Sequence, residues 1–277
     1  MSSRIIPLAG VIGHPIAHSR SPRLHKHWLK RHGIPGDYVP LHVEKGDLRQ
    51  VIRTLPRMGF VGANVTIPHK VAVLEFADSI SDRATLIGAA NTLIFREDGR
   101  IIADNTDGYG FISSLRQGAP GWRPEDGPAV VFGAGGAARA VLSALLEAGV
   151  RTIRLANRTR SKAKALRAEF GSRIEVVDWV QAGNVLDDAT TVVNTTSLGM
   201  TGQSEFRVPL DGLQRGALVT DLVYTPLRTR LLIEADAAGC LTVDGLGMLL
   251  HQAVPGFERW FGHRPEVDDA ARSAVLG

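Results

Sequence analysis

A chain of 277 residues is long enough for two domains of ordinary size, and 44% hydrophobic with 22% charged residues is a globular mixture rather than a disordered or fibrous one. The 32 basic and 28 acidic residues leave a net charge of only +4, and aromatics are 6%, so the contiguous basic stripe with exposed aromatics that nucleic-acid binding needs is missing. Cys240 is the one cysteine, which excludes an intrachain disulfide and fits a reducing compartment; with neither a run of ~20 apolar residues nor a secretory leader at the N-terminus, the expected location is the cytoplasm and no membrane partner is expected.

In chain order, RIIPLAGVIG predicts a strand, and SPRLHKHWLKRHG a helix with Ser21 as N-cap, Pro22 in the first turn and Gly33 as terminator. DYVPLHV reads as a strand, GDLRQVIRTLPRMG as a helix and GANVTI as a strand. Helical VAVLEFAD and SDRATLIG follow, then NTLIFREDGRIIADN, a hairpin turning at Asp98-Gly99. After the loop QGAPGWRPEDGP, a second alternation begins: AVVFGAGGAARAVLSALLEAG as strand, glycine turn and helix, VRTIRLANRT as a strand, RSKAKALRAEFG as a helix, and RIEVVD, TTVVNTTS and GALVTDLVY as strands. Cys240 opens a further buried strand, and GLGMLLHQAVPGFERWFG is a helix followed by a short helical tail. Strands alternating with helices predict mostly parallel sheets covered on both faces.

The stretch VVFGAGGAA meets G-x-G-x-x-G/A with Gly133, Gly135 and Ala138, after an apolar strand and before a long amphipathic helix. The first glycine permits the tight turn, and the second lets backbone approach a pyrophosphate at the positive helix end. A glycine-rich turn with no ligand is the plainer alternative. An NAD site places Asp or Glu at the end of the next strand; here that strand ends Ala156-Asn157-Arg158-Thr159, with Lys162 one turn into the helix. A guanidinium, a hydroxyl and an ammonium there suit a 2′-phosphate, which points to NADP. This accounts for the basic cluster Arg151, Arg154, Arg158, Arg160, Lys162, Lys164 and Arg167, although Lys164 and Arg167 fit a solvated helix face as well.

A nicotinamide cofactor implies hydride transfer, and a proton must move with the hydride. Lys70 follows the strand Asn64-Val65-Thr66-Ile67 and the break at Pro68. A strand end is where α/β sheets open their crevices, and a partly desolvated lysine can act as general acid/base. A solvated loop lysine remains the alternative from spacing alone. Asp104 and Asp107 in ADNTDGYG are the carboxylates that could hold it. In AHSRSP, Ser19 and Ser21 stand beside a helix N-terminus, where hydroxyls and free N–H groups can converge on a carboxylate. Among the nine histidines, His14 and His18 are four apart but separated by Pro15 and without a suitably spaced acidic or cysteine partner, so no metal is expected.

Taken together, GHPIAHSRSP, GANVTIPHK, GAANTL, DNTDGYG, GAGGAA, NRT, NTTSLGM, DLVYTP and DGLGMLLHQA occur in the order in which they stand in the shikimate dehydrogenase family, which the chain resembles from end to end. The resemblance implies NADP-dependent interconversion of shikimate and 3-dehydroshikimate in aromatic amino acid biosynthesis. It implies Lys70 as the catalytic lysine with Asp107 as its partner, and Ser19, Ser21 and Tyr224 around the substrate carboxylate. It also implies Thr66, Asn91 and Gln252 at the ring hydroxyls, and Gly133, Ala134, Gly135, Gly136 and Ala137 at the pyrophosphate. The 2′-phosphate then falls to Asn157, Arg158, Thr159 and Lys162, the nicotinamide end to Leu222 and Gly245, and the flank of the cofactor to Asp82. Lys162 stands where many members carry arginine, and Leu222 where methionine is common.

The expected organisation is therefore an α/β substrate-binding domain over 1–106, a Rossmann-type NADP-binding domain over 107–244, and C-terminal helices over 245–277 returning to the first domain. The chain is expected to act on a small molecule as a monomer or homodimer. Two other readings stay in view. An NAD-using quinate/shikimate dehydrogenase would favour Thr at position 21 and a carboxylate after the second Rossmann strand. A non-catalytic NADP-binding sensor would have a damaged Lys/Asp pair.

Overall fold

A computed structural model describes residues 6–277. The chain falls into two units, one formed by residues up to Thr106 with Gln252–Gly277, the other by Asp107–His251.

The first unit runs β1 (Leu8–Gly13), α1 (Ser21–Arg31), β2 (Asp37–His42), α2 (Leu48–Thr54), a 3₁₀ turn Leu55–Met58 and β3 (Phe60–Val65). A 3₁₀ segment Ala72–Phe76, β4 (Ser79–Ile80), α3 (Asp82–Ile87) and the pair β5 (Thr92–Phe95) and β6 (Ile101–Asp104) follow. The strands order as β2-β1-β3-β5-β6-β4. Parallel neighbours need a crossover connection, and α1 and α2 supply it, so β1 lies parallel to both β2 and β3. In consequence the segments after all three strands emerge at one end of the sheet. The expected hairpin is present: β5 and β6 pair antiparallel, with Gly99 in the left-handed region at φ 82°.

Three local expectations are corrected here. Ser21 is not the N-cap of α1; it is the first helical residue, the cap position belongs to Arg20 without a side-chain cap bond, and the Ser19 hydroxyl accepts from the Ser21 N–H at 3.4 Å. VAVLEFAD forms only a 3₁₀ segment over Ala72–Phe76. The strand carrying Asn64 ends at Val65, so Thr66 and Ile67 lie beyond it, although the Thr66 N–H still donates to the Ile12 carbonyl at 2.9 Å.

The second unit begins with α4 (Asp107–Gly118) and continues through β7 (Ala129–Phe132), α5 (Gly136–Ala148), β8 (Ile153–Ala156), α6 (Arg160–Phe170) and β9 (Ile174–Val177). A 3₁₀ segment Trp179–Val185, β10 (Thr191–Asn194), β11 (Leu218–Asp221), α7 (Arg230–Ala237) and β12 (Leu241–Val243) complete the sheet, and α8 (Gly245–Phe261) and α9 (Asp269–Leu276) end the chain. Its six strands lie in the order β12-β11-β10-β7-β8-β9 with every pairing parallel. This is the doubly wound order in which the first and fourth strands are neighbours. Because side chains alternate along a strand, a sheet covered on both faces needs apolar residues at every position. β7 obeys this: Ala129 and Val131 join one buried cluster with Phe111, Leu115 and Val141, while Val130 and Phe132 join the opposite one with Val219 and Leu231.

Helix α8 lies within the expected third segment, but only part of it returns to the first unit. Its residues to His251 group with the second unit, and those from Gln252 with the first. Pro255 lies inside the helix and has no N–H for the His251 carbonyl, at the residue where the grouping changes. The part in the first unit buries Phe257 and Trp260 against α1, with Phe257 5.3 Å from the Trp28 ring in an edge-on contact, and both surround His25. Gly62 serves that packing: a Cβ there would lie 1.9 Å from Trp260 Nε1. Among the described residues no helix is long and apolar enough to cross a membrane.

Candidate active site

In the first unit the site residues gather at the carboxyl ends of β1 and β3. Gly13, the last residue of β1, is where the two following loops converge: a Cβ on it would stand 2.6 Å from Thr66 Cγ2 and 2.8 Å from Ile16 Cδ1. The His14 N–H donates to the Ile67 carbonyl at 3.1 Å, and the Ser19 N–H to the Ile16 carbonyl at 3.0 Å. The loop bearing Ser19 is thereby tied toward the loop bearing Thr66 and Lys70. The latter is closed by the His69 N–H donating to the Thr66 carbonyl and by the Ala90 N–H donating to the Lys70 carbonyl, at 2.9 and 2.7 Å. Lys70 is half-buried at this sheet end.

A buried hydrogen-bond chain links the serines to the amides. The Ser21 hydroxyl bonds the Tyr38 phenol, which burial raises well above its ordinary pKa. The phenol donates to Asn64 Oδ1 at 2.7 Å. Asn64 Nδ2 donates in turn to the Asn91 carbonyl at 3.0 Å, and Asn91 Nδ2 to Gln252 Oε1 at 3.1 Å. Thr92 and Thr106 hydroxyls and the Thr106 N–H all approach Asn91 Oδ1 within 3.1 Å, so the amide orientation is over-determined. Ser21, Asn91 and Gln252 are therefore joined through Tyr38 and Asn64, two residues the sequence reading left without a role. The signal for Asn64 was its polarity inside an apolar strand; Tyr38 carried none.

Of the two carboxylates offered for Lys70, Asp104 is already engaged. Burial pushes its carboxyl up, but the Arg83 guanidinium and the Ser81 hydroxyl outweigh that and hold it below the ordinary range. Asp107 is buried as the first residue of α4 in the second unit. Asp82 is exposed at the first turn of α3.

The second unit carries the glycine turn. Gly133 adopts φ 105°, and a Cβ there would lie 2.6 Å from Thr195 Oγ1, so both backbone and packing require glycine. Gly135 and Gly136 differ: nothing in the chain lies within 4 Å of a Cβ built on either. Packing does not require glycine at these two positions; what their lack of side chains leaves is a bare helix N-terminus with its N–H groups open, a fitting cradle for a pyrophosphate. Ala134 and Ala137 flank them, half-buried and exposed respectively.

Asn157 has a role other than the expected one alone. Its Oδ1 accepts from the Ala134 N–H at 3.1 Å and its Nδ2 donates to the Thr159 carbonyl at 2.8 Å, so it clamps the glycine turn to the end of β8. Arg158, Thr159 and Lys162 are exposed beside it, and among the described residues none of their side chains has an ion-pair partner. The rest of the basic cluster is partly spoken for, since Arg154 pairs with Asp188 and Arg160 with Asp178. No carboxylate follows β8.

Leu222 and Gly245 meet at the carboxyl end of β11, where a Cβ on Gly245 would stand 2.4 Å from the Leu222 carbonyl oxygen. Tyr224 lies two residues further, half-buried. Below them is a network that sequence reasoning missed. Asp221 accepts from Asn194 Nδ2 at 2.9 Å, from the Val223 N–H at 3.0 Å and from the Thr229 hydroxyl at 2.7 Å, and burial pushes its carboxyl up to about 6. It anchors the turn that carries Leu222 and Tyr224.

A family model described as the shikimate dehydrogenase substrate binding domain matches residues 11–93, one described as shikimate / quinate 5-dehydrogenase matches 123–201, and a shikimate 5′-dehydrogenase C-terminal domain matches 245–275. A curated protein of Cereibacter sphaeroides named shikimate dehydrogenase (NADP(+)) is 70% identical over 271 residues, 98% of this chain and 97% of its own. The Thermus thermophilus shikimate 5-dehydrogenase solved with NADP(H) and shikimate is 38% identical with a TM-score of 0.85, over 96% of this chain and 99% of that one. The Corynebacterium glutamicum quinate dehydrogenase solved with NAD is 33% identical with a TM-score of 0.90, over 97% and 98%.

Proposed function

The chain belongs to the shikimate dehydrogenase family, and from that premise we propose that it interconverts shikimate and 3-dehydroshikimate reversibly with NADP as cofactor, in the route to chorismate and the aromatic amino acids. The observation that carries this reading is the 70% identity, across nearly the whole of both chains, to a protein named for that activity.

The cofactor, when bound, supplies or accepts the hydride. Gly133 to Ala137 are the residues to hold its pyrophosphate, Arg158, Thr159 and Lys162 its 2′-phosphate, and Leu222 and Gly245 its nicotinamide end, with Asp82 at its flank. The chemistry of that donor set fits: an open helix N-terminus for one anion, and a guanidinium and an ammonium for the other. Asn157 acts in this scheme by fixing the glycine turn.

On the substrate side, Ser19 and Ser21 offer hydroxyls to the carboxylate, with Tyr224 as a third. Thr66, Asn91 and Gln252 hold ring hydroxyls, and the rigid Asn91–Gln252 pair suits a task in which donor and acceptor must be told apart. Lys70 gives a proton to the carbonyl oxygen during reduction and takes it back during oxidation. Asp107 is its carboxylate partner, favouring the ammonium and orienting the hydroxyl that reacts. The reaction is expected in the cytoplasm, from a monomer or homodimer.

A fold shared with an NAD-bound quinate dehydrogenase at a TM-score of 0.90 makes the side chains, not the architecture, the source of specificity. The test is a cross of shikimate and quinate against NADP and NAD, followed as initial rates of reduced-cofactor formation. Shikimate with NADP is expected to exceed every other combination in kcat/KM by about 10²-fold or more, in line with two discriminating polar sites. Comparable rates with quinate or NAD would overturn the reading of Ser21 and of Asn157-Arg158, leaving the family assignment intact.

A further inference from the structure

Linear spacing gave His14 no useful metal-binding neighbour, but the sheet register supplies two. In the parallel pairing of β1 with β2, Gly13 stands opposite His42, and the Val43 N–H extends the ladder to the Gly13 carbonyl at 3.2 Å. His14 therefore leaves β1 beside the end of β2. His42 and Glu44 are two residues apart in extended chain, so they project to the same side while Val43 between them is buried. His14 Nδ1 and His42 Nε2 come within 3.0 Å, and one ligand atom from each of His14, His42 and Glu44 lies within 4.8 Å of the others.

We propose that His14, His42 and Glu44 form a binding site for a divalent transition-metal ion of the zinc class, at the carboxyl end of the first unit's sheet. Two imidazoles and one carboxylate are a donor set that zinc accepts with a further position left for water, and bonds of ~2.0–2.1 Å in tetrahedral geometry put two ligand nitrogens about 3.3 Å apart. The observed 3.0 Å is within a small side-chain adjustment of that spacing. Magnesium and calcium are poor occupants, since they prefer all-oxygen shells. Both histidines are placed by backbone held in the sheet or bonded to it, so little ordering is needed on binding. The same edge carries the His14 N–H bond to the Ile67 carbonyl and a bond between the His69 ring and the Val43 carbonyl at 2.7 Å, on either side of the loop with Thr66 and Lys70. An ion here stiffens that edge. The site is independent of the proposed reaction and does not rest on it.

Tag-free protein stripped with chelator is titrated with zinc chloride by calorimetry, and its melting temperature is followed alongside. One equivalent is expected to bind with a Kd of roughly 1–10 μM and to raise the melting temperature, as any ligand selective for the folded state does. His42→Ala and Glu44→Gln are each expected to weaken binding by about tenfold or more, whereas magnesium chloride gives no heat. The control is His263→Ala, because His263 and His32 make the other close histidine pair, with ring centroids 4.0 Å apart. No saturable zinc binding by ~100 μM overturns the proposal. So does binding that survives His42→Ala or disappears in His263→Ala. Far-UV circular dichroism of each variant separates loss of the site from loss of the fold.

Discussion

Tyr38→Phe removes one oxygen from the middle of the buried chain that joins Ser21 to Asn64, and its cost can be worked out from the structure. The ring is fully buried and stacks on His25 at 3.9 Å with 5° between planes, a contact that phenylalanine keeps. What is lost is the 2.7 Å hydrogen bond to Asn64 Oδ1, worth ~1 kcal/mol, together with desolvation of an acceptor left without its donor, worth ~1–3 kcal/mol. A loss of about 2–4 kcal/mol lowers the melting temperature by roughly 4–16 °C in a chain of this size. Ser21 loses its partner at the same time, and Asn64 its reason to point Nδ2 at the Asn91 carbonyl. Substrate binding is thus expected to weaken more than chemistry slows: KM for shikimate rises by about three- to tenfold while kcat stays within about threefold of wild type. Scanning calorimetry and steady-state rates measure the two effects. A variant that melts within about 1 °C of wild type with unchanged KM refutes the idea that this chain positions the serine and the amides.

Other outcomes follow from the same structure. Lys70→Ala is expected to lower kcat by about 10²–10⁴-fold, as removal of a general acid/base does, and a kcat retained within about tenfold with KM unchanged contradicts that role. Arg158→Ser is expected to raise KM for NADP by at least about tenfold while leaving KM for NAD nearly unaltered, because only the former carries the charge it faces; equal effects on both cofactors count against the pocket. His25 is buried among aromatic rings with neither ring nitrogen hydrogen-bonded, and burial lowers its pKa to about 3 from 6.5. The unfolded chain therefore binds the extra proton, so the stability held above pH 6.5 is lost as pH falls toward 3, by about 2 kcal/mol between pH 7 and 5. Asp221 works the other way, its contribution being present below 3.8 and lost as pH rises through about 6. Urea unfolding of wild type against His25→Phe across that range isolates the histidine, and an unchanged pH slope in the variant refutes the assignment.

The legible parts of this chain were those whose signals are local. The apolar run Ala129–Phe132, its glycine turn and the helix after it need no distant partner to be recognised, and the hairpin follows from Asp98-Gly99 between two apolar runs. Where two local solutions compete, sequence decides poorly. Ser19 and Ser21 are both acceptable beside a helix start, and the choice of Ser21 as cap failed because tertiary structure gives the Ser21 hydroxyl to Tyr38, leaving Ser19 to accept the Ser21 N–H. Helix α7 was passed over although Thr229 caps it through the Leu232 N–H, because its buried set of Leu231, Leu232 and Ala235 is too short to stand out.

The deeper gap concerns what holds the candidate site residues rather than which they are. Motifs reach single positions such as Lys70 or Arg158, but the groups that orient such positions lie far away in sequence. Asn64 meets Asn91 across 27 residues, and Asn91 meets Gln252 across 161. These pairings exist because β3 and β5 are ladder neighbours and because the latter part of α8 belongs to the first unit, two facts of topology that no periodicity encodes. The same reasoning separates the two kinds of glycine in the Rossmann turn. Gly133 is needed by the chain itself, so replacing it damages folding whether or not a ligand binds. Gly135 has empty space around it, so Gly135→Ala is expected to leave the melting temperature nearly unchanged while raising KM for NADP. A variant that unfolds instead would assign that glycine to structure and remove the open helix end as the argument for a pyrophosphate site.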